Sequence, residues 1–158
     1  MRPKSGVFVT DTHPLGYYAD RRFSKLGKRA RGLFDDADEG NLLICVPTIV
    51  LSELTILLQL ERLRLPVAFD KWCRDIDAAP GFFIEPLLWT DVDEMRQLPF
   101  RDPFDRMIVG TAKRLRGTAL CGSPRTRWST RSVRDLDGSP VGPAPSRGRG
   151  TVGQPSPC

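Results

Sequence analysis

Carboxylates carry most of the chemistry open to this chain. Its 158 residues include one histidine, His13, which excludes a metal site built on two or three imidazoles. A Ser-His-Asp or Cys-His mechanism would have to run through His13, and no nucleophile motif such as Gly-x-Ser-x-Gly accompanies it. The four cysteines, at 45, 73, 121 and 158, have no Cys-x-x-Cys spacing, so a zinc ribbon and a dithiol redox motif are excluded too. Cys45, inside Leu42-Leu-Ile-Cys-Val46, reads as a small core residue.

Four acids stand out by their positions. Asp11 follows the β-branched and aromatic run Val7-Phe-Val-Thr10. It sits where the end of a first strand meets the next helix, which suits either a site residue or a helix N-cap. Glu53 interrupts the apolar segment Ile49 to Leu60. An ionised carboxylate there is costly unless it is paired, with Arg62, Arg64 or a more distant base, or ligates a cation. In Arg101-Asp-Pro-Phe-Asp-Arg106, Asp102 suits an N-cap, Pro103 the first helical position and Asp105 the third, a capping-box arrangement. The apolar residues after Asp105 must dock on a sheet, which carries Asp105 toward the same edge as Asp11. Carboxylates without histidine are hard oxygen donors suited to Mg²⁺ or Mn²⁺. Such an ion activates water and stabilises charge in phosphodiester hydrolysis.

The elements that must position these acids alternate. Strands are predicted at Val7–Thr10, Leu42–Val46, at 82–87 from Phe82, and at Thr118–Cys121. Between them, helical spacing predicts a short helix over 13–20, one from Ser24 ending at Gly40-Asn41, and a heavily buried one opening at Pro47-Thr48. Further helices are predicted over 66–79, over Asp91–Arg96 with Thr90 as cap, and from Asp102-Pro103 to about Arg116. Strands alternating with helices make an α/β fold on a central parallel sheet with flanking helices. No apolar run approaches the roughly 18 residues that span a bilayer. The first ten residues lack a secretory hydrophobic stretch, so a cytoplasmic, non-membrane protein is expected.

Charge and composition divide the chain. Residues 121–158 hold 6 Gly, 6 Pro, 6 Ser and 6 Arg with 2 Asp, a charge of +4. The whole chain carries +5, leaving +1 for residues 1–120. The overall isoelectric point near 9.3 is mostly the tail's and does not by itself argue for nucleic acid. The expected organisation is a domain over 1–121 and a low-complexity, disordered tail over 122–158.

Three segments together resemble the PIN-domain ribonucleases, specifically the VapC toxins of bacterial toxin–antitoxin pairs. They are Val7-Phe-Val-Thr-Asp-Thr-His-Pro-Leu15, Thr48-Ile-Val-Leu-Ser-Glu-Leu54 and Leu98-Pro-Phe-Arg-Asp-Pro-Phe-Asp-Arg-Met-Ile-Val-Gly-Thr-Ala112. They occur in family order and at family spacing. The resemblance implies a three-layer PIN-like domain and an endoribonuclease dependent on Mg²⁺ or Mn²⁺. Asp11, Glu53 and Asp105 match its catalytic, metal-binding acids, and Asp102 matches an additional acidic metal position. It also implies an antitoxin whose tail covers the acidic cleft, and a homodimer. RNA would be held by scattered bases such as Arg101, Arg106, Lys113 and Arg114, which otherwise form a solvated helix face.

The pattern breaks after Leu120. Family members continue with a Thr-x-Asp-like segment, a helix and a short strand, whereas this chain reads Cys-Gly-Ser-Pro-Arg-Thr-Arg over 121–127. The abrupt composition change is what out-of-frame translation of a GC-rich gene would give. Losing the last acid and the closing elements is expected to weaken the metal site and leave a sheet edge uncovered. The alternative function is therefore a catalytically impaired remnant that still binds antitoxin. Arg147-Gly-Arg-Gly150 also permits a basic arm that binds RNA without sequence preference. A haloacid-dehalogenase-type phosphatase needs Asp-x-Asp after the first strand, where this chain has Asp11-Thr-His13. A receiver domain needs paired acids and a late lysine; neither pattern is present.

Overall fold

The β-branched and aromatic run at the start of the chain forms β1, Val7–Thr10, at the centre of a five-stranded sheet. The structure is a computed structural model and describes residues 7–98, 101–121 and 129–132. From β1 the chain passes through α1 (Thr12–Ala19) and α2 (Lys28–Asp38) to β2 (Leu43–Pro47). It continues through α3 (Thr48–Gln59) and α4 (Phe69–Ala78) to β3 (Phe82–Glu85). It returns through α5 (Trp89–Glu94) and α6 (Pro103–Arg114) to β4 (Thr118–Cys121), and β5 (Ser129–Ser132) comes last.

The sheet order is β3-β2-β1-β4-β5. Strands β3, β2, β1 and β4 are parallel, as expected for an α/β fold flanked by helices, and β5 runs antiparallel to β4. From β1 the chain builds outward to β2 and β3, then crosses back to place β4 on β1's other side. The order therefore reverses between β1 and β4. In open parallel sheets the carboxyl ends of the strands at such a reversal form a crevice. Asp11 lies there.

Two expectations change here. The first concerns β5, which falls within the segment expected to be a coreless tail. It pairs Thr118 with Ser132 and Cys121 with Ser129, so the outer edge of β4 is covered. Its sequence, Ser-Thr-Arg-Ser, has no apolar alternation to announce a strand; pairing with an open edge supplies what local pattern does not. The rest of 122–158, including Pro124 and Arg147–Gly150, lies outside the described residues, as do Pro99 and Phe100 of the third motif and the first six residues.

The second is α3. Its apolar content predicts burial around most of its surface, yet Ile56 is 45% and Leu60 56% exposed. Only the stripe through Val50 and Leu54 is fully covered. Helix starts also shift. The helix predicted from Ser24 begins at Lys28 after a 3₁₀ turn, and the one predicted from residue 66 begins at Phe69. Leu88, not Thr90, stands at the N-cap position of α5, where its N–H donates to Asp91.

Packing follows the apolar spacing. Ala30, Leu33, Phe34 and Ala37 form the buried face of α2, and Phe34 stacks on Tyr18 with ring centroids 4.5 Å apart. Ile44, Cys45 and Val46 of β2 are fully buried, as a strand covered on both faces requires. Burial pushes the Cys45 thiol up to about 12, with the Glu85 charge adding to it, so Cys45 is an inert core residue. Among the described residues no helix is long and apolar enough to cross a membrane.

Candidate functional site: acids at the carboxyl edge of the sheet

Helix direction brings the acids to one edge. β4 begins beside the start of β1, with Thr118 paired to Phe8. Helix α6 ends just before β4 and therefore starts at the opposite, carboxyl edge. Helix α1 begins right after β1 and α3 right after β2. The N-terminal turns of α1, α3 and α6 thus meet where the parallel strands end, and α3 packs on both α6 and α1. Each of these turns presents the positive end of a helix dipole, which favours carboxylates.

Asp11 satisfies both of its readings. It is 6% exposed, and its Oδ1 accepts the Thr12 N–H at 2.6 Å as the N-cap of α1. Capping engages one oxygen and does not remove the charge from the strand end. Thr12 is fully buried, and its hydroxyl donates to Glu53 Oε2 at 2.5 Å. This bond joins α1 to α3 and accounts for the acid on the apolar helix. Arg62 and Arg64 are exposed on the chain beyond α3 and, among the described residues, neither pairs with Glu53. No local signal in the sequence marks this link, because Thr12 and Glu53 lie 41 residues apart in different helices.

At α6, Asp102 is the N-cap and Pro103 the first helical residue. Asp102 Oδ1 accepts the Phe104 N–H at 2.8 Å, so capping is realised through the second helical position rather than as a reciprocal box with Asp105. Asp105 is exposed in the first turn. Its carboxyl is raised above the ordinary carboxylate range by desolvation first, then by the negative charges of Asp102 and Glu53, with His13 opposing them. Asp105 therefore feels Glu53 across the α3–α6 contact. A carboxyl raised by negative neighbours is found more at functional sites than in structural ion pairs.

The donors fit a divalent cation in kind, being carboxylate oxygens. In position they form no ready cage. Among the described residues no three His, Cys, Asp or Glu side chains converge closely enough to hold an ion.

The bases expected to face RNA divide. Arg101 is exposed. Lys113 donates to Glu94 at 3.1 Å. Arg114 is committed elsewhere: its Nε lies 2.7 Å from Asp91 Oδ1 and its guanidinium 2.7 Å from Glu85 Oε1. Asp91, whose role the sequence did not disclose, is fully buried. It also accepts the Leu88 N–H at 3.0 Å and the Thr111 hydroxyl at 3.2 Å. Arg114 is thus a clasp between α5, α6 and β3 and is unavailable to RNA. Gly110 makes that approach possible, because a Cβ there would sit 2.5 Å from the Asp91 carbonyl oxygen.

No known family model matches this chain, and no curated protein is similar to it.

Proposed function

We propose that this chain is a PIN-type endoribonuclease, the toxin of a VapC-like toxin–antitoxin pair acting in the cytoplasm. It would hydrolyse RNA phosphodiester bonds with Mg²⁺ or Mn²⁺ held by Asp11, Glu53, Asp102 and Asp105. The observation that carries this reading is the packing of α3 on α6, which sets Asp105 in the negative field of Asp102 and Glu53. Their place at the switch point of a parallel sheet supports it further. A bound divalent ion there supplies water activation and neutralises phosphate charge. The chain's own residues do the positioning. Asp11 is oriented by its cap bond, Glu53 by the Thr12 hydroxyl, and Asp105 by the helix that Asp102 and Pro103 start. A cognate antitoxin covering the acidic cleft and a homodimer belong to the same proposal.

A second reading keeps the fold without the reaction: an impaired module that sequesters antitoxin. It is favoured by the lack, among the described residues, of any three donors converged on one point. RNA cleavage by the full chain, with Mn²⁺ and with chelator, separates the two. The control is Asp11→Asn, which retains a capping oxygen and removes the charge. Nuclease function predicts a loss of at least about 100-fold in Asp11→Asn and in chelator. Equal background from all three samples selects the binding module.

A further inference from the structure

Helices α1 and α3 end side by side in the same way. Each closes with a non-glycine residue in the left-handed region, Arg21 at φ 54° and Glu61 at φ 54°. In each, the next arginine's N–H bonds back into the last turn: Arg22 to the Tyr17 carbonyl at 2.8 Å and Arg62 to the Leu57 carbonyl at 2.9 Å. This left-handed turn with a bond back into the last turn is a common helix stop, which α6 also shows at Arg116 (φ 51°). Here it brings Arg22 and Arg62 together, with the Arg22 guanidinium 3.3 Å from the Arg62 carbonyl oxygen.

Both arginines line a cavity of about 180 Å³ whose wall also includes Thr12, His13, Tyr17 and Lys25. Among the described residues no carboxylate lines it. Arg22 keeps Asp20 as counter-ion at 2.7 Å, Lys25 Nζ lies 5.5 Å from the Tyr17 ring centre, and the His13 and Tyr17 rings are 6.3 Å apart. Thr12 belongs both to this wall and to the acidic centre through its bond to Glu53. The cavity therefore adjoins the acids, with the opposite charge. Its volume is below the roughly 300 Å³ of a drug-sized pocket and suits a single flat ring. Cations beside aromatic faces are the pairing that holds single-stranded nucleic acid, through phosphate charge and base stacking.

We propose that this cavity is a nucleotide subsite. It takes one nucleotide of a single-stranded RNA, phosphate against Arg22, Lys25 and Arg62 and base against the Tyr17–His13 rings, beside the bond cleaved at the carboxylates. The assignment rests on the ribonuclease reading, and the test separates the two. The full chain carrying Asp11→Asn is titrated with a fluorescently labelled random-sequence 12-nucleotide RNA at several salt concentrations, and wild-type cleavage is measured separately. Adding Lys25→Ala and Arg62→Ala should weaken binding about tenfold or more and flatten the salt dependence by about 0.7 in log-log slope for each cation lost. Adding Tyr17→Leu should weaken binding about tenfold with the slope unchanged, and Tyr17→Phe should restore it. Circular dichroism confirms that each variant folds. Unchanged binding in the cation variant and in Tyr17→Leu overturns the subsite, whether or not the wild type cleaves. Equal displacement of the RNA by polyglutamate also overturns it, showing a general anion surface. Cavity-dependent binding without wild-type cleavage keeps the subsite and removes the nuclease reading.

Discussion

The two ends of α6 treat charge in opposite ways. At its C-terminal end Arg114 meets two acids, Asp91 and Glu85, and buried Asp91 has donors on both oxygens. At its N-terminal end Asp105 lies in the negative field of Asp102 and Glu53, which adds to desolvation in raising its ionisation range. The first arrangement is compensated, and it fastens α5 and β3 to α6. The second keeps a like-charge cost. A compensated buried charge reads as architecture, and a like-charge cluster at a sheet switch point reads as a place for a ligand. Substitution at each end should therefore move different observables.

The largest effect on stability belongs to the compensated end. Asp91→Ala leaves Arg114 without its main partner and the Thr111 hydroxyl and Leu88 N–H without an acceptor. It should cost about 3–5 kcal/mol in urea unfolding. Gly110→Ala, which presses a methyl group against the Asp91 carbonyl, should cost about 1–3 kcal/mol by the same measurement. Either substitution coming out neutral would mean that α5 is not fastened in this way.

At the acidic end the sign reverses. Folding raises the Asp105 ionisation range, so the folded state binds its proton more tightly than the unfolded chain does. That contribution to stability is fully present below the ordinary carboxylate range and is lost as pH rises through the raised one. Asp105→Asn should therefore melt higher than wild type at neutral pH, with the gap closing as pH falls below that range. The smallest effect is expected for Asp102→Asn, which keeps the cap. It should leave stability within about 0.5 kcal/mol and lower the Asp105 ionisation range in an NMR titration. A melting gap that does not close with pH would remove the electrostatic account of Asp105.

The same contrast explains what is legible in the sequence. Strands β1 and β4 match their predicted limits because β-branched and apolar runs bounded by glycine or aspartate are local signals. Asp11, Glu53, Asp102 and Asp105 are legible because each breaks or bounds such a pattern. The Asp91–Arg114–Glu85 clasp is not, since its members lie in three elements and nothing local marks Asp91 as buried. Arg114 reads as a surface base for that reason. Thr12 as the link to Glu53 and the paired arginines of the cavity are hidden likewise, because the first depends on how α1 packs on α3 and the second on where those helices end. The antiparallel β5 is set by the open edge of β4 rather than by its own residues.

Thermal melting with Mn²⁺ tests most directly whether the acids at the carboxyl edge of β1 form an ion site although they are not preassembled. A ligand that binds the folded state at about 100 times its dissociation constant adds about 2.7 kcal/mol. The melting midpoint of the full chain, and of a control altered at the exposed, ion-paired Asp70 (Asp70→Asn), should rise with Mn²⁺. The midpoints of Asp11→Asn and Asp105→Asn should rise far less. An equal rise in all four proteins, or none in the wild type, would contradict the ion site.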